Sequence, residues 1–292
     1  MKYFEVKFRI ETSEELMQAA RDILSAMAGD AGFETFEETP EGITGYVQRH
    51  LLDRDCLDSI LSDFPLPHST VSYTVSDAED RDWNEQWEQQ GFEPIAAGRF
   101  IIHDGRHLPP AAAVSQPFAP LEIEIHARQA FGTGTHETTR MMVGTLASMN
   151  LTGRRVLDCG TGTGILAIAA LKAGAAEAVG YDIDEWSTDN ARHNAALNGV
   201  GDNFTVLLGD AGILNSVEGH FDVVLANINR NILLSDMAAM RDKLTPGGRL
   251  VMSGFLTNDI LPLRQRAEEL GFGLVSQRQE SEWVCLVFSL QE

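Results

Sequence analysis

Between residues 156 and 164 an apolar run ends in an acid and then in glycines at every second position: Val-Leu-Asp158-Cys159-Gly160-Thr161-Gly162-Thr163-Gly164. The apolar stretch Ile165-Leu166-Ala167-Ile168-Ala169-Ala170 follows at once. This pattern reads as a strand, a tight turn and a helix. Glycines at such a turn allow a sharp bend and let a ligand approach the backbone within contact distance. The spacing is G-x-G-x-G, not the G-x-G-x-x-G of dinucleotide sites, which disfavours a nicotinamide dehydrogenase. The next strand-like run ends in Asp182, 22 residues after Gly160. A carboxylate at the tip of the second strand is where doubly wound folds hold a ribose diol. A third run ends in Gly209-Asp210, which puts Asp210 either within reach of an adenine amino group or in a plain turn. Taken in order along the chain, these residues describe a nucleoside site at the carboxyl ends of successive strands.

A parallel sheet has to carry those turns. Strand-like runs at Arg155–Asp158, Ala178–Asp182, Thr205–Leu208, Val223–Ala226 and Arg249–Ser253 alternate with helical stretches at Ile165–Ala173, Ser187–Asn198, Ile232–Lys243 and Ile260–Leu270. Alternation at this spacing predicts an α/β sheet covered on both faces. The last two runs, Gly273–Gln279 and Trp283–Ser289, lie too close together for a crossover helix and predict an antiparallel hairpin at one edge.

The front of the chain has a different rhythm. Lys2–Glu11 alternates with Phe4, Val6, Phe8 and Ile10 on one side. Ser13 is placed to cap a helix that carries Leu16, Ala19, Ala20, Ile23, Leu24 and Met27 on one stripe and closes at Gly29. Phe33–Glu38 and Ile43–Gln48 flank the turn Pro40-Glu41-Gly42, Asp53–Phe64 has helical spacing, and Val71–Val75 alternates again. The order β-α-β-β-α-β predicts a small ferredoxin-like α+β domain. Asp77–Gln90 is charged and carries Trp83 and Trp87 one helical turn apart, which reads as a short helix that packs its aromatic face on a neighbour. Residues 104–121, with Pro109, Pro110, Pro117 and Pro120, read as irregular connection.

The chain has 292 residues, 43% of them apolar, enough for two domains with cores. Its formal charge is −21, of which residues 1–100 hold −13. Bulk nucleic acid and anionic membranes reward a basic face, so this balance argues against both. It leaves room for a basic substrate, which the field would attract. Cys56, Cys159 and Cys285 are odd in number and far apart, which suggests neither a disulfide framework nor a zinc site. The start, MKYFEVKFRIETSEE, has acids where a signal peptide needs an apolar run. The expectation is a metal-free cytoplasmic protein with no membrane span.

The succession LDCGTGTG, YDID, GDA and FDVVLANI resembles the class I methyltransferases that use S-adenosylmethionine, over about 155 residues. FGTGTHETT at 131–139 and NINRNIL at 227–233 narrow the resemblance, with the front domain and the DWNEQW segment, to the bacterial ribosomal protein L11 methyltransferases. The resemblance implies a Rossmann-like class I domain over 122–292, a ferredoxin-like substrate-recognition domain over 1–76, and a linker helix with irregular connection over 77–121. It also implies S-adenosyl-L-methionine as cofactor and transfer of methyl groups to lysine ε-amines and the N-terminal α-amine of ribosomal protein L11. That partner would be met free before ribosome assembly by a monomeric enzyme, without direct contact to nucleic acid. By match to the family motifs, Thr139, Gly160, Asp182 and Asn227 are cofactor contacts. Phe131, His136, Gly162 and Asp210 complete the expected pocket. Two departures stand out. The family commonly has Gly-Cys-Gly-Ser-Gly where this chain has Gly160-Thr161-Gly162-Thr163-Gly164, and Ile-Leu-Ala where Ile228, Asn229 and Arg230 follow Asn227.

The chemistry agrees with the resemblance. Methyl transfer from a sulfonium is an in-line displacement with a good leaving group, so the main task is to hold the nucleophile at near-attack distance. The nucleophile has to be neutral, and at pH 7 a lysine amine is neutral to only about one part in two thousand. Desolvation lowers that pKa. Asn227 is expected to orient the amine or the amino-acid part of the cofactor, with no side chain as an obligatory base. His136 reads either as an ordering or adenine-packing group or as a proton acceptor, and Cys159 as packing under the glycine turn. The competing functions are methylation of another protein, a nucleic acid or a small molecule, and a binding module without catalysis. NINR lacks the prolines and stacking ring of the amino-adenine enzymes, and the intact glycine turn argues against a degenerate module.

Overall fold

Alternation in Tyr3–Glu11 (β1) puts Val6, Phe8 and Ile10 on one buried face. Helix α1 (Met17–Ala28) covers that face with Ala20, Leu24 and Ala28. Thr35–Thr39 (β2) and Gly42–Gln48 (β3) form a hairpin closed by Pro40-Glu41. Arg54–Ser62 (α2) buries Leu57, and Thr70–Asp77 (β4) pairs with β1. The four strands run in the order β2-β3-β1-β4, all antiparallel, as the split-βαβ arrangement requires. Two details differ from expectation. Helix α1 starts at Met17 with Leu16 as its N-cap, and the Ser13 carbonyl accepts the Leu16 N–H ahead of it. Gly29 does not end the helix, since a short 3₁₀ turn, Gly29–Ala31, continues it to Gly32 in the left-handed conformation.

This is the first of two compact units, Met1–Asp82 and Trp83–Glu292, in a computed structural model. The structure describes residues 3–13, 16–33, 35–49, 51–62, 64–67, 69–77, 91–109, 120–127 and 132–291. Trp83, Trp87, Phe131 and most of the proline-rich stretch lie outside them.

The second unit is built on seven strands. Arg155–Cys159 (β8), Glu177–Asp182 (β9), Phe204–Leu208 (β10), Phe221–Asn227 (β11) and Leu244–Leu256 (β12) are parallel, and the antiparallel pair Phe272–Glu280 (β13) and Trp283–Leu290 (β14) completes the edge. The order is β10-β9-β8-β11-β12-β14-β13. The chain leaves β8 towards one edge and returns to pair β11 on its other side, so the switch point lies between β8 and β11. Successive residues of β8 point into different cores: Val156 into one, Leu157 into the other. Helices Glu137–Leu146 (α3), Ile165–Lys172 (α4) and Glu185–Leu197 (α5) cover the first face. Helices Arg230–Asp242 (α6) and Ile260–Glu269 (α7) cover the second. This is the Rossmann-like α/β architecture expected for a class I methyltransferase.

Two features have no counterpart in the sequence expectations. Three short strands, Ile95–Ala97 (β5), Phe100–His103 (β6) and Leu121–Glu124 (β7), form a separate sheet whose Phe100, Ile102 and Ile123 join the first core. Helix α3 is buried along nearly its whole circumference, from Thr138 to Leu146 except Arg140. Among the described residues no helix is long and apolar enough to cross a membrane.

Candidate active site

The glycine turn wraps around the end of β9. Gly160 and Thr161 both donate their N–H groups to the Tyr181 carbonyl at 2.9 Å, and the Gly162 N–H goes to the Asp182 carboxylate at 2.9 Å. The other Asp182 oxygen accepts the Asp184 N–H at 3.1 Å. Asp182 therefore ties the second strand to the first turn and does not cap the helix behind it. Burial raises its pKa, partly offset by the Gly162 and Asp184 N–H groups. Gly160 has φ +69, and a Cβ there would stand 2.5 Å from Ile228 Cγ2, so only glycine lets the turn close against the end of β11.

Beneath the turn, Asp158 is completely buried. One oxygen accepts the Thr161 hydroxyl at 2.7 Å and the Ala167 N–H at 3.3 Å. Desolvation pushes its pKa up to about 7. Burial also pushes the Cys159 thiol well above its ordinary value, so it is an inert packing group.

Asn227 ends β11 beside this turn. Its Oδ1, the second oxygen of Asp158 and the Thr139 hydroxyl are buried without a hydrogen-bond partner among the described residues. Buried oxygens of this kind suit a ligand that brings N–H donors or positive charge, and S-adenosylmethionine carries an ammonium and a sulfonium. The residues present fit that cofactor. Arg230 does not bring a competing cation to the strand end: its guanidinium pairs with Asp259 at 3.0 Å and with Asn231, while Asn229 caps α6 through Ile232 N–H at 3.1 Å.

Asp210 caps the turn after β10, accepting the Gly212 N–H at 2.8 Å. The Gly209 N–H before it reaches the Asp182 carbonyl at 2.8 Å, which draws the two strand ends together. Ile183 and Leu208 stand exposed beside these acids as apolar surface.

His136 is the N-cap of α3. Its Nδ1 accepts the Thr138 N–H at 3.2 Å and lies 2.9 Å from the Thr138 hydroxyl. That ring nitrogen is thereby engaged with the first turn of α3. The ring stands edge-on to Trp283, with centroids 4.7 Å apart. Arg140 joins the Thr135 carbonyl to Glu280 on the C-terminal hairpin. Sequence reasoning missed these supports, together with Thr163, two asparagines of α5 and the asparagine that caps its C-terminus. Asn190, Asn194 and Asn198 recur every four residues, a visible signal of one helix face doing one job. Among the described residues no group of three acids, histidines or cysteines is placed to hold a metal.

The chain as a whole is similar to known proteins. A family model described as ribosomal protein L11 methyltransferase (PrmA) matches residues 8–291. A Bacteroides fragilis protein of that name is 44% identical over 291 residues, covering 99% of this chain and 100% of its own. A Porphyromonas gingivalis protein of the same name is 41% identical, covering 99% and 98%. The crystal structure of a ribosomal protein L11 methylase from Lactobacillus delbrueckii subsp. bulgaricus superposes with a TM-score of 0.61 at 28% identity, over 69% of this chain and 100% of that one.

Proposed function

This chain belongs to the ribosomal protein L11 methyltransferase family, and from that premise we propose that it methylates lysine ε-amines, and the N-terminal α-amine, of ribosomal protein L11. It is a methyltransferase of the S-adenosylmethionine-dependent class I type. The observation that supports the site best is the Asn227 Oδ1, unpaired among the described residues, at the end of β11 next to the strand that leads into the glycine turn.

S-adenosylmethionine, when bound, supplies a methyl group on a cationic sulfur. Everything else falls to this chain. Asp182 presents a carboxylate to the ribose side, and Gly160 and Gly162 give room for close approach. Asp210, with Ile183 and Leu208, borders the adenine side. The Thr139 hydroxyl and the Asn227 carbonyl accept hydrogen bonds from the amino-acid part or from the incoming amine. Asn227 is neutral, so it orients the amine without stabilising the ammonium form as a carboxylate would. The enzyme works as a cytoplasmic monomer on L11 not yet in the ribosome, with residues 1–76 recognising the substrate and 122–292 carrying the chemistry.

Incubation with isotope-labelled S-adenosylmethionine and purified ribosomal proteins, followed by mass spectrometry, tests this. Label on L11 lysines and its N-terminus is expected. Label on RNA alone overturns it.

A further inference from the structure

One side chain joins the glycine turn to the segment that leads into His136. Thr163, fully buried, donates its hydroxyl to the Gly132 carbonyl at 2.7 Å, across 31 residues of sequence. Gly132 has φ +115, and a Cβ there would stand 2.7 Å from the Thr163 hydroxyl oxygen. The absence of a side chain at 132 is what allows the hydroxyl to come in.

Thr163 is itself held from behind. Its carbonyl accepts Asn194 Nδ2 at 2.9 Å. Asn194, also fully buried, accepts the His126 N–H at 3.0 Å and donates to the His126 carbonyl at 3.2 Å. Asn190 donates to the same carbonyl at 2.9 Å. One turn further along, at the C-cap of α5, Asn198 makes the same two-way pair with the backbone of Glu124, at 3.0 and 2.7 Å. The three asparagines serve the free edge of β7 and the residues after it as a neighbouring strand would. The chain thus enters the Gly132–His136 segment from a backbone tied to α5, and the start of that segment is tied to the glycine turn through the same Asn194–Thr163 unit.

We propose that Thr163 is a positioning residue for methyl transfer: its hydroxyl sets the Gly132–His136 segment against the glycine turn, so that the two sides of the cofactor site form as one. This rests on the reading of the site given above. Valine has nearly the shape of threonine but cannot donate, and it would leave the Gly132 carbonyl unpaired. A buried hydrogen bond of this kind carries about a tenfold effect.

The test compares Thr163→Val with Thr163→Ser in the full chain. It measures S-adenosylmethionine affinity by calorimetry and amide exchange over residues 132–136 in the free protein. Thr163→Val is expected to weaken cofactor binding about tenfold and to speed exchange in that segment by about as much, while Thr163→Ser restores both to within about twofold. If Thr163→Val does not fold, Gly132→Ala reads the same contact from its other side, with the same loss expected. Wild-type affinity and wild-type exchange in whichever variant folds overturn the proposal, even if its melting temperature falls. A wild-type enzyme that binds S-adenosylmethionine but leaves L11 unmethylated refutes the substrate reading alone, and the affinity and exchange data still decide the role of Thr163.

Discussion

Asn227 and Asp158 make opposite use of buried oxygen. Asn227 offers a neutral acceptor, and a hydrogen bond to a charged donor is worth about 1.5–3 kcal/mol. Asn227→Ala is therefore expected to lower kcat/KM about ten- to a hundredfold, and wild-type turnover at saturating cofactor would remove the orienting role. Asp158 is a carboxyl whose pKa desolvation raises to about 7. Between its unfolded value near 4 and about 7, the native state holds a proton that the unfolded chain releases. The stability linked to that proton is fully present below pH 4 and lost as pH rises through 7, with an upper bound of about 4 kcal/mol. Asp158→Asn should flatten the rise in unfolding free energy from pH 8 down to pH 5, measured by urea titration. An unchanged slope would mean that the carboxyl is already ionised at pH 5. The sequence displayed both residues because each ends an apolar strand. It could not display their state, since burial depends on how the surrounding elements pack, and even the bonds to Asp158 from Thr161 and Ala167, three and nine residues on, form only once the turn folds back over it. Asp210 differs, since its cap to Gly212 is a local bond of the kind the plain-turn reading of Gly-Asp anticipates.

Elements were legible where their periodicity survives burial. The strand–helix alternation from Arg155 onward and the closing hairpin could be read because the runs are strongly apolar, recur at regular spacing and are bounded by turn residues. Helix α3 could not, because Glu-Thr-Thr-Arg-Met-Met-Val-Gly-Thr-Leu is buried on almost every side and shows no polar face, and its cap is a histidine. The sheet β5-β6-β7 has strands of three and four residues, too short for a period of two to stand out. These unread elements hold the segment before α3. Arg140 clamps it to the hairpin by pairing with Glu280, and the pair is only partly buried. A double-mutant cycle with Arg140→Gln and Glu280→Gln is expected to give a coupling of about 0.5–1 kcal/mol in unfolding free energy. Most of that coupling should vanish in about 1 M salt. A coupling of zero would leave His136 against Trp283 as the contact that keeps the hairpin on the segment.

At the scale of the whole molecule the uneven charge gains a consequence. The front hundred residues carry −13 of the net −21, while the cofactor-side residues lie in the less acidic remainder. If, as proposed, the front of the chain recognises L11, a lysine-bearing substrate is attracted to it over a distance set by the Debye length, about 8 Å at physiological salt. At the proposed site S-adenosylmethionine would meet buried oxygens and backbone groups that salt screens little. Raising salt from about 0.05 to 0.5 M should therefore increase the KM for L11 several-fold while the affinity for S-adenosylmethionine changes by less than about twofold. Steady-state kinetics with L11 varied, set beside calorimetry with the cofactor alone, separates the two. If both weaken together, the acidic front is a solvated surface and recognition depends on shape. If only the L11 term moves, the imbalance in charge is itself part of how the substrate is found.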